Sequence, residues 1–467
     1  MAVSSTNVPE VDQGKLLLHF ARNGDFGPDG GELLVLERGE GPYVFDTAGR
    51  RYIDGLSSLF CCQLGYSHGA EFGRVAAAQL ERLAFNTNWA TATPPAIELA
   101  ERLSALSPSG DARVFLTCGG SESVETAWKL ARQFHLANGE EGRTKAIARD
   151  VAYHGVTLGA LALTGVERFK TPFGPAAIPT RHVANTNSFR SDLDEAALCD
   201  ALIAEFEATI AAEGPETVAA IFAEPVQNAG GCLVPPRDYW PRLAELARRH
   251  GILLVADEVI TGMGRLGEYF GASRYGAVPD IVTLAKGITS AQAPMGAVIV
   301  TERVAAPLYE AGRTLLHGIT FGGHPVAAAI ALRNLELFES ERVLENVREL
   351  EPHLRSRMEE LLELPLVGDV RGAGFFWAAE LVADEDNGRF DADQRERLLR
   401  GYLPKRLLEA GLIARADDRG DSVIQIAPPL ICDRDQLDEV VDALAETLAD
   451  AGQRFGAGSA AGTAVGG

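Results

Sequence analysis

Apolar residues in this chain gather in short uninterrupted runs, and several of these runs stop at a polar or charged residue. Ile252 to Ala256 stops at Asp257-Glu258, and Ile281 to Ala285 stops at Lys286-Gly287. Short runs rich in β-branched residues and bounded by Gly or Pro predict buried strands of a parallel sheet. Arg113 to Thr117, Lys145 to Arg149, Val218 to Ala223 and Gly296 to Val300 read as further strands. Helical spacing covers Glu71 to Ala84, the Pro-initiated PPAIELAERLSAL, the segment after Ser121 and Ser191 to Ala212. After Ser121, Val124, Trp128 and Ala131 mark one apolar face, and Glu125–Lys129 is an i,i+4 pair. From Glu32 to Ile53 two apolar runs flank a GEGP turn and a second turn follows at Thr47 to Arg50, which predicts an antiparallel meander. From about residue 336 the chain reads mostly as amphipathic helix, with a strand near Gly374 to Leu381 and a helix from Asp391 to Ala410. Residues 1 to about 30 are polar and Gly-rich and predict an irregular arm; the Gly/Ala-rich 451–467 predict an unstructured tail.

With 467 residues, 46% apolar and 23% charged, the chain is long enough for a large core in two structural domains. The net charge of −22 argues against nucleic acid and anionic membranes as partners. The six cysteines form no CxxC, which predicts reduced thiols in a cytoplasmic protein. The first residues carry neither a basic nor an apolar signal-peptide region. No apolar run approaches the roughly eighteen residues of a membrane helix. Nine scattered histidines give no metal-ligand spacing, and no metal is expected.

Candidate chemistry sits where the strand pattern ends. In open α/β sheets the C-terminal edge of the strands is where ligands bind. Of six lysines, only Lys286 follows an apolar strand and precedes Gly. A desolvated amine has a lowered pKa and can form a Schiff base; the plainer reading is a lysine reaching for solvent. Strand alternation puts Asp257 and Val259 on one face and Glu258 on the other. A carboxylate beside an apolar residue suits a flat heteroaromatic cation, as pyridoxal phosphate (PLP) requires, together with a lysine for its aldehyde. The plainer role for Asp257 is a helix N-cap. The Gly turn at Cys118 to Ser121 feeds a Ser-capped helix and makes an anion site, or an ordinary N-cap. Residues 262–267, GMGRLG, match the dinucleotide pattern GxGxxG. That fingerprint opens a helix directly from its strand, whereas here Asp257-Glu258 intervene and Glu268 to Gly271 start a helix poorly.

LLVADEVITGMGRLG followed by PDIVTLAKG resembles the class III aminotransferases, a PLP enzyme family of fold type I. The resemblance spans roughly residues 15 to 450 and makes Asp257 the ring-nitrogen acid, Val259 the ring-packing residue and Lys286 the Schiff-base lysine. Cys118-Gly119-Gly120-Ser121-Glu122 stands where the family's phosphate cup reads Asn-Ser-Gly-Ser-Glu. Gly120 and Ser121 match, and Gly119 lacks the usual hydroxyl, which implies weaker phosphate binding. Ala152-Tyr153-His154-Gly155 resembles the cofactor-stacking loop, with Tyr153 on the ring face opposite the valine. Nothing is carried over for His154. Glu224-Pro225-Val226-Gln227 resembles the segment that brings Glu224 beside cofactor and substrate and Gln227 to the ring hydroxyl. His317 to Pro325 resembles the family's HGxTxxGHP, in which Thr320 donates to the phosphate of the neighbouring subunit's cofactor. Phe60 stands where amine-specific members carry a pocket tryptophan, Trp89 lies near the substrate entrance, and Arg415 matches a mobile arginine that grips a substrate carboxylate. Each has a plainer reading: core aromatics, a loop tyrosine, a turn threonine, a surface arginine.

The resemblance thus implies an α/β protein of the PLP-dependent transferase fold type I. It has a large domain (71–335) with a central, mostly parallel seven-stranded sheet in which Gly296 to Val300 runs antiparallel. A small α/β domain comes from both termini (1–70 and 336–450). It implies a homodimer or tetramer with shared active sites. It also implies ping-pong transfer of an amino group from an ω-amino acid or amine to a keto acid, with pyruvate expected. The nearest alternative is a PLP-dependent aminomutase or other chemistry on the same framework. A non-catalytic PLP-binding protein and a nucleotide-dependent oxidoreductase resting on GMGRLG are more distant.

Overall fold

The computed structural model describes residues 15–26, 33–310 and 312–456. Near the start, β1 (Leu36–Glu40), β2 (Tyr43–Asp46) and β3 (Arg51–Asp54) form the antiparallel meander, with Arg38 opposite Phe45 and Tyr43 opposite Ile53. The central sheet then takes β4 (Ala112–Thr117), β5 (Lys145–Arg149), β6 (Thr180–Val183), β7 (Val218–Ala223), β8 (Leu253–Asp257), β9 (Ile281–Leu284) and β10 (Gly296–Thr301). Their spatial order is β4-β10-β9-β8-β7-β5-β6. β6, β5, β7, β8 and β9 pair in parallel; β10 runs antiparallel to both β4 and β9. Every residue of β7, β8 and β9 is buried, because helices cover both faces of the sheet. On one face lies the helix Gly120–Ala137, whose Val124, Ala127 and Ala131 pack on Phe222 and Val255. On the other lie Glu195–Glu213 and Tyr239–Arg249, whose Phe206, Trp240 and Leu243 pack on Ile221 and Leu254. β6 is short and polar at a sheet edge, so no apolar run announces it.

The rest of the chain builds a second unit. β11 (Val367–Ala373), β12 (Phe376–Leu381), β13 (Leu412–Ile413), β14 (Arg415–Asp417) and β15 (Val423–Ile426) complete the strands. One sheet has the order β11-β12-β15-β14; in the other, β13 joins the meander, Leu412 pairing in parallel with Ile53 of β3. One sheet therefore joins strands from early and late in the sequence. Helices Val343–Glu359 and Arg434–Phe455 pack against it, the latter started by an Asp433/Gln436 capping box. The helix expected from Asp391 to Ala410 is interrupted by a π-helical segment, Glu396–Tyr402. Pro404 has no N–H for the Arg400 carbonyl, so the α-ladder cannot run through. The last helix runs to Phe455, past the start of the expected tail; 457–467 lie outside the described residues, as do 1–14 of the expected arm. Among the described residues no helix is long and apolar enough to cross a membrane.

Candidate functional site

β4, β7, β8 and β9 bring their C-terminal ends to one cavity of about 390 Å³, within the roughly 300–1,000 Å³ typical of small-molecule and cofactor sites. Lys286, Asp257 and Val259 line it, as do Gly120, Ser121, Tyr153 and Glu224. The sheet register explains the central pair. Asp257 sits opposite Thr283 on the neighbouring strand, and Lys286 follows three residues later, past the strand end.

Lys286 opens a tight turn with φ 49°, in the left-handed region that non-glycine residues rarely adopt. The buried Asn334 holds that turn by donating to the carbonyls of Gly287 and Ile288 at 3.0 and 3.2 Å. Strain held in this way collects at functional sites. Burial pulls the Lys286 amine below its ordinary pKa; the neighbouring Cys61, Asp257 and Glu224 oppose that pull. Among the described residues no carboxylate lies within ion-pair distance of it.

Asp257 is 4% exposed and accepts three hydrogen bonds. Its Oδ1 accepts from Thr283 Oγ1 at 3.0 Å and from the Val259 N–H at 3.2 Å, and its Oδ2 lies 2.7 Å from His154 Nδ1. A carboxylate only accepts, so His154 Nδ1 carries the hydrogen. His154 Nε2 is buried and has no hydrogen-bond partner among the described residues. Glu224 is also buried: its oxygens accept from the Tyr153 and Asn228 N–H groups at 3.3 and 3.0 Å, and burial raises its pKa.

At the helix Gly120–Ala137 the N-cap is Gly119, in extended conformation, and no side chain caps the first turn. The serine expected to cap sits inside that turn, where Ser121 Oγ accepts from the Val156 N–H at 3.1 Å. A side chain at position 120 would put its first carbon 2.9 Å from Val259 Cγ1, so glycine lets the helix end approach the valine. Uncapped N–H groups and the positive end of the helix dipole suit a phosphate.

Other residues selected from sequence stand elsewhere. Gln227 is fully buried and donates to the carbonyls of Asp150 and Ala229 at 3.0 and 3.1 Å, bracing two loops outside the cavity lining. Phe60 is 1% exposed and packs edge-on to Phe376; its neighbour Cys61 is what lines the cavity. Trp89 is 63% exposed, with its indole against Gly318, and Thr320 is exposed on the loop that follows. Arg415, on β14, lines a second cavity of about 710 Å³ beside Phe169 and Asp417. The GMGRLG segment is a buried turn with Gly264 at φ 90° and Gly267 at φ 80°. No helix opens from it. Its Arg265 donates to the carbonyls of Phe375 and Pro428 and to Ser57 Oγ, joining the two units, and burial lowers that guanidinium to about 10. His154, Thr283 and Asn334 were not legible as site residues, since each acts through a partner far away in sequence.

The donor set fits PLP. An amine with lowered pKa and a buried carboxylate held by three hydrogen bonds open onto one cavity that an uncapped helix end also lines. Tyr153 and Val259 supply packing surface beside them.

Comparison with known proteins agrees with this geometry. The family model described as Aminotransferase class-III matches residues 27–448. A protein of Mycobacterium tuberculosis described as a probable aminotransferase is 47% identical over 94% of this chain and 94% of its own length. The putrescine–pyruvate aminotransferase of Pseudomonas aeruginosa is 36% identical over 87% of this chain and 88% of its own. The crystal structure of a thermostable (S)-enantioselective omega-transaminase from Thermomicrobium roseum superposes with a TM-score of 0.89 at 40% identity, covering 94% of this chain and 97% of that one.

Proposed function

The chain belongs to the class-III aminotransferases, enzymes that use PLP, and from that premise we propose that it moves an amino group from an ω-amino acid or amine to a keto acid, pyruvate foremost, by a ping-pong sequence. The observation that carries the reading is the placement of Lys286 and Asp257 at the ends of adjacent strands, open to one cavity. PLP, when bound, supplies an electron sink that stabilises negative charge on the substrate carbon. Lys286 would hold its aldehyde, Asp257 its ring nitrogen, Val259 and Tyr153 its two faces, and the helix end at Gly120 and Ser121 its phosphate.

The chain's own residues then divide the work. Burial keeps Lys286 Nζ unprotonated in a larger fraction than an exposed lysine, so it can take a proton from the carbon bearing the amino group and return it. Thr283, His154 and the Val259 N–H hold the Asp257 carboxyl group in place. Glu224 bounds the substrate side, and Arg415 receives the keto acid's carboxylate. Phe60 acts by packing behind Cys61, and Gln227 by bracing the loops around the site. We further propose a homodimer. Phe85, Trp89 and Phe321 are 39%, 63% and 59% exposed, and the Phe85 and Phe321 rings lie 5.4 Å apart, tilted to each other, an apolar surface that a second copy would cover while bringing Thr320 to its partner's site. Six unpaired cysteines support a cytoplasmic location.

The test is the visible spectrum of the purified protein with PLP. A band that fades with an amine and returns with pyruvate supports transamination and identifies the donor class. Lys286→Ala is expected to abolish both the band and its response. A band that responds to the amine but is indifferent to every keto acid would favour mutase-type chemistry and overturn the proposal.

A further inference from the structure

The hairpin between β14 and β15 carries two arginines on either side of one aspartate. Asp417 is 3% exposed. Arg419 grips it: Nε lies 2.9 and 2.7 Å from the two carboxylate oxygens, Nη2 donates to Oδ2, and the Arg419 N–H donates to Oδ1 at 2.9 Å. Arg415 Nε stands 3.7 Å from the same Oδ2, and among the described residues no side chain grips it more closely. Arg419's guanidinium also lies 5.6 Å from the centre of the Tyr153 ring, and Tyr153 lines the Lys286 cavity. Arg419 is the guanidinium whose charge reaches the Lys286 amine and pushes its pKa down. Both arginines and Asp417 line the adjoining 710 Å³ cavity.

Most of the other charges here are paired, and Asp25 lies among them, its charge acting on Arg22. Asp418 accepts from Arg168 and Arg400, Glu396 accepts from Arg22, and Arg395 donates to the carbonyls of Asp418 and Gly420. The inner group is therefore Arg415, Arg419 and Asp417, with a net charge of +1. The loop is pinned in place, because a side chain at Gly420 would meet Val151 at 2.9 Å and Gly230 at 3.1 Å.

We propose that Asp417 is a resident carboxylate that shares the arginine pair Arg415–Arg419 with the substrate and sets this subsite to receive a single carboxylate. Asp417 thereby determines selection of monocarboxylate over dicarboxylate keto acids. An arriving monocarboxylate makes the group neutral. A dicarboxylate brings a second negative charge close to Asp417, which repels it. When the substrate is an amine without a carboxylate, Asp417 stays hydrogen-bonded to Arg419 and within ion-pair distance of Arg415, so neither guanidinium faces the apolar ligand without a counter-charge. The inference rests on the transamination reading above and assigns the acceptor class at the same site.

The experiment runs the second half of the reaction on holoenzyme already aminated by an amine donor. The return of the visible band is followed after mixing with pyruvate or with 2-oxoglutarate, and the ratio of the two rate constants is the readout. Asp417→Asn raises the net charge to +2 and is expected to move the ratio toward 2-oxoglutarate about tenfold, whereas Asp417→Glu keeps the wild-type ratio. Arg419→Gln lowers the net charge to zero and is expected to slow both acceptors, 2-oxoglutarate more. If Asp417→Asn does not accumulate as folded protein, the Arg419→Gln ratio decides alone. An unchanged ratio in the variants that fold, or equal changes for both acceptors, overturns the inference while leaving transamination intact. A wild-type band that no amine bleaches overturns the transamination reading itself, before Asp417 is tested.

Discussion

Asp257 and Glu258 are adjacent in sequence and do opposite things because a strand turns them to opposite faces. Asp257 looks into the cavity. Glu258 looks into the fold, where Thr261 Oγ1 and the Gly271 and Ala272 N–H groups donate to it at 2.6, 2.8 and 2.7 Å. Burial raises its pKa to about 7, against 4.5 for an ordinary glutamate. The folded state therefore binds this proton more tightly than the unfolded chain does. The resulting stability is whole below about pH 4.5 and is lost as pH rises through 7, on the order of 3 kcal/mol. Thermal melts at about pH 5 and pH 8 check this: the wild type is expected to lose more Tm over that interval than Glu258→Gln. A variant that melts with the same pH slope as the wild type would refute it. The alternation that separates these two carboxylates was legible in the sequence. His154 was not, because its value comes from a strand-end neighbour 103 positions away that only the sheet brings to 2.7 Å.

At the scale of elements, the helix Gly120–Ala137 and the strand end at Val259 are fitted to each other. Gly120→Ala would force Val259 off its position, since the added carbon has only 2.9 Å. Overpacking of this kind costs about 1–3 kcal/mol. The dissociation constant for PLP, read by titrating the apoprotein, is expected to rise about tenfold or more. The long apolar strands were legible because both their faces are covered, so nothing polar interrupts them. The edge strand β6 and the π-helical segment were not: a polar edge strand has no periodic signal, and the π segment follows from one missing N–H at Pro404. The capping serine was assigned two residues too far along the chain, because Gly119 reaches the extended N-cap geometry without a capping side chain.

At the scale of the whole molecule, the apolar surface at Phe85, Trp89 and Phe321 makes the expected assembly testable. Phe321→Glu is expected to yield a monomer by sedimentation, with activity falling along with the dimer fraction; a dimer that persists would place the interface elsewhere. The order of elements along the chain was legible, but the cross-chain pairing of β3 with β13 was not, since two residues carry no recognisable strand pattern. That pairing has a consequence for biosynthesis. The meander is made before the central sheet and its partner strand after it, so β3 waits with an open edge while the whole central sheet is synthesised. The interval favours early closure of the central sheet and leaves the small unit to assemble after release. Chains halted before Leu412 therefore carry a half-built sheet at their beginning, and quality control should recognise truncation at the C-terminus by an exposed strand at the N-terminus.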